Sequence, residues 1–136
     1  MGVGIIKFIS LSEAKAFLDD ARTLPRYSER ANRSCRASVL LSWASLEAAV
    51  SYEFKKCNLK HPKPDNLGNR LGALAQAKHV TFDKPAYVQQ RKLRNRITHP
   101  DDAFVWMCPD VGTATEVFDY CLGLIKQLYS IGEPWY

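Results

Sequence analysis

From Ser28 to His61 no Gly or Pro interrupts the chain, and within that stretch Val39, Trp43, Leu46, Val50, Phe54 and Cys57 recur at steps of three and four residues. That period sets all six on one face of an α-helix, so a long helix with an apolar stripe is the predicted core element. Ser28 is its predicted N-cap, because a serine hydroxyl there accepts from an orphan N–H of the first turn.

The flanking segments also read as helices. Ser10-Leu11-Ser12-Glu13 has the form of a capping box, and Leu11, Ala14, Phe17, Leu18, Ala21 and Leu24 follow at helical spacing until Pro25 ends the run. After the long helix, His61-Pro62-Lys63-Pro64-Asp65 is a loop, since each proline biases its predecessor away from helix. Leu67 to about His79 predicts a third helix carrying Leu71 and Leu74, weakened by Gly68 and Gly72. Thr81 to Pro85 is a break with Asp83 as candidate cap, Ala86 to Thr98 a fourth helix, and Pro100 its stop. Phe104, Val105, Trp106 and Met107 suggest a short extended arm. A second capping box, Thr113-Ala114-Thr115-Glu116, opens a last helix to about Ser130 that is apolar on more than one face. The expectation is one all-α domain over 1–136, an up-and-down bundle of about five helices.

Composition narrows the class of partner. A formal net charge of +5 and a pI near 9.1 favour a polyanion such as nucleic acid, although a charge of this size also suits an ordinary soluble small domain. Cys35, Cys57, Cys108 and Cys121 form no C-x-x-C pair, and His61, His79 and His99 have no ligand spacing, so reduced thiols, no metal and no cofactor are expected. The apolar patch of Ile5, Ile6, Phe8 and Ile9 lacks a charged leader and is too short for a signal core. No stretch reaches the roughly 18 apolar residues of a membrane span, so a cytoplasmic protein without membrane contact is expected.

Two polar features stand out against this background. Glu47 lies between Trp43 and Val50 on the apolar stripe, where an unpartnered charge is costly, so it is expected to be buried and to meet an Arg, a His or other donors. It serves either as a structural ion pair or as the group that orients a functional Arg or His. The second feature is Arg94-Asn95-Arg96-Ile97-Thr98-His99, followed at once by Pro100. Helical spacing puts Ala86, Leu93 and Ile97 on an inward side and Arg91, Arg94, Asn95 and Thr98 on the other. Asn95 and His99 are helical neighbours, whereas Arg94 and His99 diverge by about 140° on a straight helix. Pro100 biases His99 toward extended geometry at the helix C-cap, from which its ring can swing back toward Arg94 and Asn95. The simpler reading of the same run is positive charge at a helix C-terminus, which the macrodipole favours.

The Arg-Asn-x-x-x-His run, the all-helical pattern and Leu46-Glu47-Ala48-Ala49 in the long helix together resemble the HEPN superfamily. The resemblance implies a helical bundle, commonly a homodimer with the two motifs facing across the interface. It also implies one of two activities. Many such proteins are metal-independent endoribonucleases of toxin-antitoxin, phage-defence or RNA-processing systems; others are non-catalytic modules binding RNA, a nucleotide or a protein partner. On the catalytic reading the ribose 2′-OH attacks the adjacent phosphorus, leaving a 2′,3′-cyclic phosphate and a 5′-OH. His99 suits proton transfer near neutral pH, and Arg94 offers a planar fork of donors to the phosphate. Asn95 would position either group, with Glu47 in support. Arg91, Lys92, Arg96 and Arg70 are the candidate contacts to an RNA backbone, with at least two of them expected to be plain solvated charges. Trp43 and Trp106 are expected to pack rather than stack on bases. Some toxins of the superfamily carry a Tyr two positions after the His, which a partner enzyme modifies; Asp101 stands there, which speaks against that form of regulation and leaves room for an antitoxin of another kind or another protein partner.

Overall fold

The computed structural model describes residues 9–98 and 109–129. Among these residues every regular element is an α-helix: α1 (Ile9–Thr23), α2 (Glu29–Lys56), α3 (Leu67–Lys78), α4 (Lys84–Thr98) and α5 (Val111–Tyr129). The protein is an all-α bundle built on α2, against which the other four helices all pack. With 28 residues, α2 extends about 42 Å, long enough to offer each partner its own stretch.

The α2 stripe is the core. Val39, Trp43, Leu46, Val50 and Phe54 are buried, while Cys57 is half-buried as the C-cap residue. One hydrophobic cluster joins them to Leu11 and Leu18 of α1, Leu71 and Leu74 of α3, Tyr87 of α4 and Val117, Cys121, Ile125 and Leu128 of α5. Each fully buried Leu, Ile or Val contributes about 1.5–3 kcal/mol relative to exposure. The breadth of the apolar surface on α5 has a direct cause: it packs on both α1 and α2. Where α1 meets α2, the buried Ser38 donates its hydroxyl across to the Ala14 carbonyl at 2.8 Å, so the contact is satisfied as well as close.

Helix starts follow the strongest available cap. Ser28 caps α2 in extended geometry (φ −69°, ψ 155°), its Oγ accepting from the Ala31 N–H. Asn66 does the same for α3 through the Asn69 N–H, and His79 closes that helix in the left-handed region at φ 54°. At the two expected capping boxes the boundaries differ. Ser10 falls inside α1, which already includes Ile9. At α5 the cap is Asp110: its Oδ1 accepts from the Thr113 N–H at 2.8 Å and its carbonyl from the Ala114 N–H at 2.9 Å. Asp is the better N-cap, so Thr113 becomes a first-turn residue and Glu116 is released for a contact elsewhere. Helix α4 starts at Lys84, two residues before the expected Ala86. Pro85 sits in the first turn, where a missing N–H breaks no helical bond.

Gly68 has a packing role beyond weakening α3. A Cβ there would lie 2.8 Å from Cε1 of Tyr87, so the glycine is what admits the Tyr87 ring. Cys35 and Cys121 are buried and Cys57 half-buried, all as free thiols. Among the described residues no helix is long and apolar enough to cross a membrane, and no cluster of His, Cys, Asp and Glu could hold a metal ion. His99, Pro100, Asp101, the Phe104–Met107 arm with Trp106, and Cys108 lie outside the described residues.

Candidate functional site

Helix α4 turns a face to the bundle that only partly matches the one its apolar residues predict. Tyr87 and Gln90 are its buried positions, and Arg94 and Ile97 continue the same stripe at steps of four and three. Leu93 and Ile97 pack on the core as expected, but Ala86 is only half-buried and Arg94 lies on the inward side. The reason is chemical. The aliphatic stem of an arginine packs like an apolar side chain while its head seeks a partner, and here α2 supplies that partner.

The partner is Glu47. Arg94 Nη2 donates to Glu47 Oε1 at 3.3 Å, and Nη1 donates to Asn95 Oδ1 at 3.0 Å. Three of the singled-out residues are thereby brought together from two helices. The expected burial of Glu47 does not hold: 46% of its side chain is exposed, against 32% for Arg94. Glu47 rides at the edge of the stripe, where α4 only partly covers it. A pair this exposed adds at most about 1 kcal/mol to stability, so its main effect is to hold the guanidinium in place.

Among the described residues the buried carboxylate is Glu53, which the sequence reading missed. Only 1% of it is exposed, and Lys78 of α3 donates to it at 2.7 Å while also donating to the Leu128 carbonyl of α5 at 2.5 Å. The signal was available: Leu46, Val50, Glu53 and Cys57 follow the same three-and-four spacing.

Beneath Arg94 lies an aromatic layer. The Trp43 ring meets Tyr87 edge-on at 5.8 Å and Tyr120 at 6.3 Å. Trp43 is 2% exposed, so packing is its role and base stacking is closed to it. Burial pushes the hydroxyls of Tyr87 and Tyr120 above the usual phenol range, so both stay protonated at neutral pH. Gln90 Nε2 donates to Glu116 Oε1 at 2.9 Å, the use to which Glu116 is put in place of a capping box. Trp43 Nε1, Gln90 Oε1 and Tyr120 Oη are buried without hydrogen-bond partners among the described residues.

The four basic residues expected to hold an RNA backbone divide in two. Arg91, Lys92 and Arg96 are exposed on α4, with the Arg91 guanidinium 5.8 Å from the Tyr87 ring centre. Arg70 stands apart on α3. It makes a two-pronged contact with Asp65 at 2.6 and 2.8 Å and lies over Phe54 at 5.1 Å. Hydrogen bonds from Arg70 and then His61 hold the Asp65 carboxyl down at about 2, so this pair stays ionised and Arg70 is committed to the loop. His99 is outside the described residues. What the described geometry offers is a part-open guanidinium fixed by a carboxylate and an amide, flanked by exposed cations, a set of donors suited to phosphate oxygens. No family model, no curated protein and no solved structure matches the chain.

Proposed function

We propose that the end of α4 is the active site of a metal-independent endoribonuclease of the HEPN kind. The observation that carries this is the handling of Arg94. Five residues before His99 in the sequence, it is turned toward α2 and steadied by Glu47 and Asn95 with about a third of its side chain open. In the reaction, His99 accepts the 2′-OH proton as the 2′-oxygen attacks the neighbouring phosphorus. The P–O5′ bond then breaks and the 5′-oxygen leaves as it takes up a proton, giving a 2′,3′-cyclic phosphate and a 5′-OH. Arg94 donates to the non-bridging oxygens as charge gathers on them, and its pre-set orientation lowers the reorganisation needed at that moment. Arg91, Lys92 and Arg96 carry the flanking backbone in a salt-sensitive, largely sequence-independent way. The proposed working unit is a homodimer in the cytoplasm, of toxin or phage-defence type, in which the second copy brings a second motif to a shared cleft.

The test is cleavage of RNA by purified protein in EDTA, with the product ends identified. Wild type is expected to leave cyclic phosphate ends, and Arg94→Ala and His99→Ala to lose most of the activity. EDTA-resistant cleavage that survives His99→Ala would overturn the assignment. A second reading has its own support in the Arg94–Glu47 pair, which ties α4 to α2 whatever else it does. On that reading the protein is a non-catalytic module for RNA, nucleotide or a protein partner, and Arg94→Ala lowers the melting temperature with no cleavage to lose.

A further inference from the structure

The α1–α2 corner holds a cavity of about 290 Å³, remote from the end of α4. About 18 Å of helix rise separates Cys35, in the cavity wall, from Glu47 beside Arg94. Leu24, Ala31, Cys35 and Val111 give the cavity an apolar floor. Its polar groups are few and varied: the Asn32 amide, the Asp110 carboxylate and the guanidinium groups of Arg22 and Arg26. At the rim stands Tyr27, 71% exposed, with a left-handed backbone (φ 63°) and with the Arg26 guanidinium 4.9 Å from its ring centre. The turn from α1 to α2 sets that backbone, the Ser28 N–H donating to the Pro25 carbonyl at 3.1 Å, and it holds a large aromatic ring out into solvent at the cavity's edge. A second, shallower and more polar recess adjoins the first at Leu24 and adds Arg30, Arg33 and Asp20.

We infer that this corner binds one nucleotide unit, with the base in the cavity beside Tyr27 and the phosphate at the Arg22–Arg26 rim. Each element of the cavity fits one part of that ligand. A flat ring fits between an apolar floor and a rim aromatic, as bases do on protein aromatics. Asn32 offers both donor and acceptor, and Asp110 is a carboxylate acceptor whose Oδ1 also caps the Thr113 N–H, so together they match a base edge that carries an amino group. Arginine forks suit a phosphate, and Arg22, also bonded to Asp19 and Thr115, is already oriented. The same unit can come as a free mononucleotide or as the end of a strand whose next phosphates run into the recess at Arg30 and Arg33. This inference does not depend on cleavage at Arg94.

The experiment titrates the full-length protein with AMP, CMP, GMP and UMP, with the matching nucleosides, and with inorganic phosphate, following amide shifts by NMR and heats by calorimetry. An amino-bearing nucleotide is expected to bind at least tenfold more tightly than phosphate or its own nucleoside, with shifts centred on residues 22–35 and 110–112. Tyr27→Gly, which keeps the left-handed backbone and removes the ring, and Arg26→Gln are each expected to weaken binding about tenfold without changing the melting temperature by more than a few degrees. Arg94→Ala is expected to leave it unchanged, whatever becomes of cleavage. An eight-nucleotide RNA ending in the same unit separates the sources. A further tenfold, salt-sensitive gain that Arg30→Ala and Arg33→Ala remove assigns a strand end; equal affinity assigns the free nucleotide. Nucleotide binding no tighter than that of phosphate, binding indifferent to Tyr27→Gly and Arg26→Gln, or binding lost with Arg94→Ala would each overturn the inference.

Discussion

Replacing Lys78 with alanine isolates Glu53, the fully buried carboxylate among the described residues. Glu53 is 1% exposed and receives its short contact from the Lys78 ammonium, which also donates to the Leu128 carbonyl. Removing one partner of a buried ion pair costs roughly 3–5 kcal/mol, because the remaining charge is left in a poorly solvating interior. Here the Lys78 side chain is 27% exposed, so water can enter the space it leaves, which puts the ion-pair loss near the lower figure. The lost bond to Leu128 adds about 1 kcal/mol, for a total near 4 kcal/mol. At roughly 3 °C per kcal/mol for a chain of this size, the melting temperature falls by about 12 °C. Urea unfolding followed by circular dichroism reads the free energy directly. The double variant Glu53→Met, Lys78→Met is expected to recover most of the loss, since two apolar side chains of similar volume carry no unmet charge. A cost below about 1 kcal/mol for Lys78→Ala, or a double variant as unstable as the single one, would refute this account of the α2–α3–α5 junction.

Three further outcomes follow from particular contacts. Glu47→Gln should change unfolding free energy by less than about 1 kcal/mol, because the pair it breaks is about half exposed; if the RNA-cleaving reading holds, the same variant lowers cleavage through the loosened Arg94 while melting barely moves. Gly68→Ala should destabilise by about 1–3 kcal/mol in the same urea assay, since the new methyl meets Tyr87 Cε1 at 2.8 Å and the ring is enclosed. Asp110→Ala should cost about 1 kcal/mol of α5 capping. The Thr113 bonds hold the Asp110 carboxyl below its ordinary 3.8, so that contribution is full above the unfolded value near 4 and lost as pH falls through the lower folded value. The gap between wild type and Asp110→Ala should therefore narrow as the pH falls below about 4; a gap that stays constant to acid would contradict it.

Much of the candidate site could be read from residues alone, and what could not has identifiable causes. The pairing of Glu47 with an arginine was legible because a charge on an apolar stripe needs a partner, and Arg94 provides it. Its half-exposure was not, because that depends on how far α4 overlaps α2. The inward face of α4 was legible only in part, for a related reason. Leu93 and Ile97 pack on the core as their spacing predicts, but Tyr87 and Gln90 take the buried positions once Gly68 opens room for the ring. Arg70 looked like a free cation beside Arg91, Lys92 and Arg96, and only the turn of the 58–66 loop brings Asp65 back to it.

The sequence by itself determined the elements. Short-range chemistry governs them: the three-and-four spacing along α2, the Ser28 cap, the prolines of the 58–66 loop and the stop before Pro25 all act over a few residues, and all appear where they are expected. Competition between neighbouring caps shifted only the boundaries, as at Asp110. The tertiary structure alone decided how deeply each polar group is enclosed and which pairs and cavities form between distant segments. Lys78 as the partner of Glu53, the half-exposure of the Glu47–Arg94 pair, and the cavity beside Tyr27 each depend on segments far apart in the chain. Burial is a property of the assembled bundle, and no local pattern fixes the angle and depth at which one helix covers another.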